Sequence, residues 1–380
     1  MPIYLVFATA FFGFTGISAG RVVLSLYALE LGAQPFVVGM LVAMFYVFPL
    51  LFSWPIGALS DRVRPRGPIL FGAVCGACGM LLPYIVHELW ALYVAAALSG
   101  LALAILHVNV QNLVGLLSGN GEHARNFSNF SMIGAATNFV GPLIAGLAID
   151  HTSHATACLF VVALWVAVVA LMLARGKILP RSKRHTGPKT HILDTLADRH
   201  IWRMLTTSSL AQLGTDLFQF YLPIHGHAVG LSATAIGAVL AAFAIASVAV
   251  RSVMPRLINR FGEEKLLAYS FFLGGAGFVL MPFCHSALPL ALVSFLFGCG
   301  MGCGQPITLM LMFSHSPPGR SGETLGLRLT ANNLMRVLGP AVFGSVGSAF
   351  GLFAVFWVNA LVMGAGGLLA YPKKHPSGGP

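Results

Sequence analysis

Gly57-Ala-Leu-Ser-Asp61-Arg62-Val-Arg64-Pro65-Arg66 is a short charged turn set between two long apolar runs, 36–60 and 68–86. It packs one acid and three arginines into six residues, while its flanks carry almost no charge. Part of this pattern returns 198 residues later, where Leu59-Ser-Asp-Arg62 meets Leu257-Ile-Asn-Arg260. Other landmarks keep the same offset. Gly16 meets Gly214, Gly39 meets Gly237, Gly100 meets Gly298, Gly141-Pro142 meets Gly339-Pro340, and His87 meets His285. A single register without gaps means that the second half of the chain repeats the first. Parallel repeats of this kind are known in membrane transporters, where substrate and coupling ions bind near the bilayer midplane.

Composition supports a membrane setting. Hydrophobic residues make up 57% of the 380 residues, charged residues 9%, and mean hydropathy is +0.83. A water-soluble domain carries about 25% charged residues, so lipid must be the solvent here. The six cysteines (Cys75, Cys78, Cys158, Cys284, Cys299 and Cys303) fall in apolar stretches, which argues against a secreted disulfide framework. The net charge of +11 could suggest nucleic acid, but the placement of the basic residues points to membrane topology instead. No phosphate loop, H-E-x-x-H or G-x-S-x-G occurs, so an enzyme reading has no residues to rest on. The glycines of Gly298-Cys-Gly-Met-Gly-Cys-Gly304 recur every four residues inside an apolar run, which is the language of helix packing and not of a dinucleotide loop.

A helix needs about 20 apolar residues to cross a bilayer. Twelve runs qualify: 3–29, 36–60, 68–86, 90–116, 127–149, 155–174, 203–224, 232–255, 265–284, 288–313, 323–346 and 352–371. The expectation is an all-α integral membrane protein, with twelve transmembrane helices in two pseudo-symmetric six-helix bundles. The first bundle is 1–174 and the second 203–371, joined by a basic linker at 175–202 and followed by a tail at 372–380. The first run lacks the basic leader of a signal peptide and is read as a retained helix. Lys and Arg mark the cytoplasmic side. With residue 1 inside, 19 of the 22 fall in cytoplasmic segments, Arg320 and Arg328 among them, and the six opposite loops hold none. The expected location is therefore the inner membrane, multi-pass, with both termini cytoplasmic. The sequons at Asn126 and Asn129 then carry no glycan.

The loop Gly57–Arg66 resembles the signature G-x-L-x-D-R-x-G-R-R of the major facilitator superfamily. With the repeat, the resemblance covers essentially the whole chain. It implies that Asp61 sits against the N-terminus of the eleventh helix, near Gly322, and that Gly57, Asp61 and Arg62 form a conformational gate. The sequence departs from the pattern in having Arg64 at the second glycine and Pro65 after it, leaving Arg64 and Arg66 as possible substitutes in the family's arginine relay. Gly141-Pro142-Leu-Ile-Ala-Gly146 resembles the family's antiporter motif G-P-x-x-G-G, with Ala145 for a glycine. Because Gly339-Pro340 repeats the pair, Gly141, Pro142, Gly339 and Pro340 also read as hinges belonging to the repeat. The arginine usual in the family's fourth helix is Ala96 here.

Ionisable groups inside a membrane are functional candidates by default. Arg21, Asp216 and Arg336 stand out, and the repeat matches Arg336 to Asn138. Arg21 and Asp216, on the equivalent first and seventh helices, are candidates to approach one another. Two cations against one acid favour a substrate with a carboxylate or other anionic group; alternatively, Asp216 binds an organic cation. Asp216 is the first candidate to carry a coupling proton and His107 the second, with Asn138 and Asn333 among the polar residues of the path. The outer histidines, such as His225 and His227, are read as loop decoration, and no metal or other cofactor is expected. The reading is a secondary transporter working by alternating access, driven by the proton gradient and exporting a small organic compound. The alternatives are proton-coupled uptake of an organic anion or metabolite and a non-transporting receptor or lipid-handling protein on the same scaffold. The expected partners are the small-molecule substrate, protons and the lipid bilayer, with no nucleic acid, and the expected state is a monomer.

Overall fold

In a bilayer, a backbone must satisfy its own N–H and C=O groups, and the helix does so within one segment. The computed structural model describes residues 2–119, 121–180 and 198–372. Of the expected linker, 181–197 lie outside the described residues, as do 373–380 of the expected tail. Six helices come first: α1 (Pro2–Glu30), α2 (Pro35–Ser60), α3 (Arg66–Ile85), α4 (Leu89–Leu117), α5 (His123–His151) and α6 (His154–Arg175). After the linker come α7 (Arg199–Ala228), α8 (Ala233–Phe261) and α9 (Glu263–Leu280). The tenth, α10, is in two pieces, Ala287–Met301 and Gly304–Ser314. The helical run Ser321–Ala370 turns at Gly351 (φ 81°) into α11 (321–350) and α12 (352–370).

Local chemistry sets the ends. Ser153 caps α6 by accepting from the N–H of Thr156, Asp198 caps α7 through His200, and Ser232 caps α8 through Ala235. The turns after α1 and α7 use Gly32 (φ 80°) and Gly230 (φ 80°), which are 198 residues apart. Gly121 (φ 82°) and Gly319 (φ 76°) keep the same offset. A left-handed backbone favours glycine, so the repeat extends to turn geometry.

The chain forms two compact units. One takes in Met1–Asn126, Phe130–Pro188 and His315–Asn333; the other takes in Phe127–Asn129, Lys189–Ser314 and Leu334–Pro380. The first unit therefore includes 321–333 of α11 as well as the first six helices apart from Phe127–Asn129. Its packing relies on small residues. A Cβ at Gly100 on α4 would lie 2.8 Å from the carbonyl of Phe45 on α2. In the second unit, a Cβ at Gly298 on α10 would lie 2.5 Å from the carbonyl of Phe243 on α8. Both members of this contact are repeat equivalents, so each half brings the same two helices to backbone distance.

Two sequence expectations shift. The tenth span is broken at Gly302-Cys303, and the Gly302 carbonyl accepts a 2.8 Å hydrogen bond from Nε of Arg251 on α8. Arg328, grouped above with a cytoplasmic segment, lies two turns inside α11 and is 2% exposed. Ten helices among the described residues are long and apolar enough to cross a membrane; α7 and α11 are not among them. Those two carry Asp216 and Arg336.

Candidate functional site

Two polar sites emerge, one in each unit. In the first, α2 ends at Ser60 and the next residue, Asp61, is 6% exposed. Its carboxylate accepts from the N–H of Gly322 (2.8 Å) and of Glu323 (2.9 Å), the first turn of α11. Those N–H groups have no partner inside their own helix, and the helix dipole favours an anion there. Asn112 on α4 completes the seat. It donates to Ser60 Oγ (3.0 Å) and Asp61 Oδ1 (3.4 Å), and accepts from Ser321 Oγ (2.6 Å). Glycine makes the approach possible, since a Cβ at Gly57 would strike the Gly322 carbonyl and one at Gly326 the Ser53 carbonyl.

Burial pushes the Asp61 carboxyl up to about 6, and the nearby Glu323 charge adds to the rise. The bonds from Glu323, Gly322 and Asn112 pull the other way without cancelling it. Glu323 itself pairs with Arg320 at 2.8 Å and accepts from Trp54 Nε1 at 3.4 Å. Arg62 is exposed beside this contact. Arg66 is not part of it; its Nε instead donates to the Met172 carbonyl at 3.0 Å, near the end of α6.

The second site centres on Asp216 in α7. Oδ2 accepts from Nε of Arg336 on α11 at 3.1 Å, and Oδ1 from Nε2 of Gln212, one turn back, at 2.8 Å. The side chains of Arg336 and Asp216 are 37% and 33% exposed. Asp216 is thus partnered by Arg336, while Arg21 donates to the hydroxyl of Tyr46 on α2, with its guanidinium 5.8 Å from the ring centre.

The other sequence candidates scatter. His107 meets Phe14 edge-on, ring centres 5.1 Å apart. Asn138 is exposed on α5, whereas Asn333 is buried and donates to the Leu329 carbonyl of its own helix at 2.8 Å. Gly141 packs against Ser18 and Ala19 of α1, Pro142 lies inside the continuous α5, and Gly339 packs against Leu213 of α7. Pro340 lies in α11, but its side chain is outside the described residues. His225 is buried against the Cys284 carbonyl (3.0 Å), and His154 pairs with Glu30 (2.7 Å). Among the described residues no three His, Cys, Asp or Glu side chains cluster as metal ligands.

Sequence reasoning missed Asn112, Ser321 and Tyr46, and it noted Arg251 within a span without making it a candidate. Arg251 alone carried a signal, as a charge in an apolar run; the others are ordinary residues given meaning by neighbours far away in the chain.

Comparison with known proteins adds three findings. The sequence matches the description Major Facilitator Superfamily over residues 6–340 and again over 204–380. Multidrug resistance protein MdtG of Salmonella paratyphi A (strain ATCC 9150 / SARB42) is 23% identical over 334 residues, covering 86% of this chain and 82% of that protein. The human organic anion transporter MFSD10 (TETRAN) superposes with a TM-score of 0.79 at 15% identity, and the transporter FucP in its outward conformation with 0.80 at 17%. Both cover 97% of this chain and 98% of their own. At such identities the structural likeness is one of fold.

Proposed function

We propose, from the premise that this chain belongs to the Major Facilitator Superfamily, a family of transporters and not enzymes, that it exports a small organic compound in exchange for protons. The observation that carries this reading is the Asp216–Arg336 pair. It lies on two helices that should cross the membrane, yet both groups stay about one-third exposed. Charges within a membrane are tolerated where they face water or one another; the partial exposure of this pair supports reading it as the lining of an aqueous path. A proton on Asp216 cancels its charge and weakens its pairing with Arg336. A cationic compound reaching Asp216 competes with that proton, and competition for one site is what exchange requires. The name of the MdtG relatives supports the export direction.

Basic residues place the linker and the Asp61 loop on the cytoplasmic side. The cap of Asp61 on α11, with Gly57 and Arg62 beside it, is the gate on that side, opening and closing as access alternates. The repeats 1–174 and 203–371 are the moving bundles, and a monomer suffices.

A second reading rests on the same pair. If the substrate is an anion, protonation of Asp216 removes the negative charge beside Arg336, which then favours binding of the anion there. Proton and anion then bind together, which gives uptake by cotransport. Everted vesicles with an acid interior separate the two. Alkalinisation of the lumen when a compound is added, absent in Asp216→Asn, establishes exchange and names the substrate class. Further acidification on addition of an organic anion establishes cotransport and removes the export reading.

A further inference from the structure

A cavity of about 290 Å³ lies at the loop end of the first unit, lined by Arg64, Arg66, Gly67, Gly176 and Lys177 among others. Three of its lining side chains are cationic, and among the described residues that line it none is acidic. One cation is held in place. Arg66 Nε and Nη2 donate to the carbonyls of Met172 and Leu173 (3.0 and 3.5 Å), which end α6. The backbone of Gly176 lies against its side chain, so that a Cβ there would sit 2.9 Å from Arg66 Cγ. The other two cations, Arg64 and Lys177, are exposed and line the same cavity. The cavity also adjoins the start of α3, which has no side-chain cap and no acid in its first turn. The positive end of that helix adds to the field.

We infer that this cavity is a seat for a phosphate ester, distinct from the transport path and from the gate contact of Asp61. Its volume is at the lower bound of small-ligand pockets, enough for a phosphate and its glycerol but not for acyl chains. Arg66, held edge-on by α6, presents its remaining N–H groups in the planar fork that phosphate oxygens accept. Arg64 and Lys177 supply the balancing charge from either side. On the orientation proposed above, the seat lies at the headgroup level of the inner leaflet, where basic pockets between helices take anionic lipid headgroups. A free phosphate has the same chemistry. The departures from the family signature, Arg64 for glycine and Pro65 for arginine, fall in this wall.

Thermal unfolding of the full-length protein in a neutral detergent tests the inference and its two sources. The probes are dihexanoyl phosphatidylglycerol, dihexanoyl phosphatidylcholine and inorganic phosphate, each titrated into the wild type, Arg64→Gln/Lys177→Gln and the control Arg256→Gln/Arg260→Gln. The expected result is stabilisation by phosphatidylglycerol but not by phosphatidylcholine. Its apparent affinity should be about thirtyfold weaker in Arg64→Gln/Lys177→Gln, from two cations at the surface, and unchanged in the control. Equal stabilisation by inorganic phosphate, lost in the same variant, supports the seat and assigns it to a soluble ester. No stabilisation by either anion, or equal loss in the control pair, overturns it, because general surface charge then accounts for the effect.

Discussion

The two repeats share their packing and differ in their chemistry. Gly100 meets the Phe45 carbonyl and Gly298 the Phe243 carbonyl, the same contact 198 residues apart. At that offset Asp216 corresponds to Ser18 and Arg336 to Asn138, so the charged pair of the second repeat has neutral counterparts in the first. The loop is reversed. Asp61 is buried and bonded to the start of α11, while its counterpart Asn259 is exposed. The first repeat therefore keeps its acid at the membrane edge and the second keeps its acid within the span. Backbone approach at these glycines leaves almost no room for variation, while the placement of charge differs between the repeats.

The sharpest way to break this comparison is to remove the acid of the second repeat. In everted vesicles, Asp216→Asn should reduce substrate-driven proton flux to the background of vesicles without the protein. Ser18→Ala, at the corresponding place, should stay within about fivefold of wild type, the worth of one ordinary hydrogen bond. Asp216→Asn leaves Arg336 without its acid, so instability could also lower flux. Asp216→Asn/Arg336→Gln separates the causes, since it should recover thermal stability without recovering proton flux. Recovery of flux in the double variant, or equal losses at Ser18 and Asp216, would show that the pair holds the helices and does not carry protons.

A smaller effect is expected at the loop. Asp61→Ala strips the acceptor from two helix N–H groups and should weaken the contact with α11 by about 2 kcal/mol. Asn259→Ala, exposed at the matching position, should change stability by no more than about 0.5 kcal/mol. Thr324 on α11 is 1% exposed, so Thr324→Cys reports on the contact. In a background with the native cysteines replaced by serine, that thiol should react with maleimide faster in Asp61→Ala and at the parent rate in Asn259→Ala. Equal rates in all three would remove Asp61 from the gate.

Sequence showed the architecture well because the bilayer allows so few solutions. Long apolar runs had to be helices, and an ungapped repeat had to mean two related halves. The placement of Asp61 against Gly322 was legible through the resemblance of Gly57–Arg66 to a known signature. The partner of Asp216 was not. Equivalence of helices suggested Arg21, whereas Arg336 is the side chain within reach, and only the rotation of α11 about its axis decides that. Arg328 misled for a related reason: a basic residue near a span end is ordinarily in water, and its burial depends on the depth at which α11 starts. The break in α10 was hidden by its own glycines, which read as packing residues whether or not the helix continues. Asn112 could not be singled out, because nothing local distinguishes an asparagine that bridges two helices from one that bonds its own backbone, as Asn333 does.

The finest contrast between the two loops is their response to pH. Burial holds the Asp61 carboxyl at about 6 in this contact; if the contact opens to water as proposed, the carboxyl should return toward the ordinary 3.8. The closed form therefore binds the proton more tightly, and by linkage acid favours closure. The stabilisation is fully present below about 3.8 and is lost as pH rises through about 6. Because maleimide chemistry itself slows in acid, the Thr324→Cys rate is best divided by that of the unfolded protein at each pH. That protection ratio should rise as pH is lowered from about 7.5 to 5.5 in the Asp61 background and stay flat in Asp61→Ala. Asn259 does not titrate, so Asn259→Ala should retain the full pH response. A protection ratio that falls with acid would mean that the bonds from Gly322 and Glu323 outweigh burial, making the ionised carboxylate the form that closes the gate.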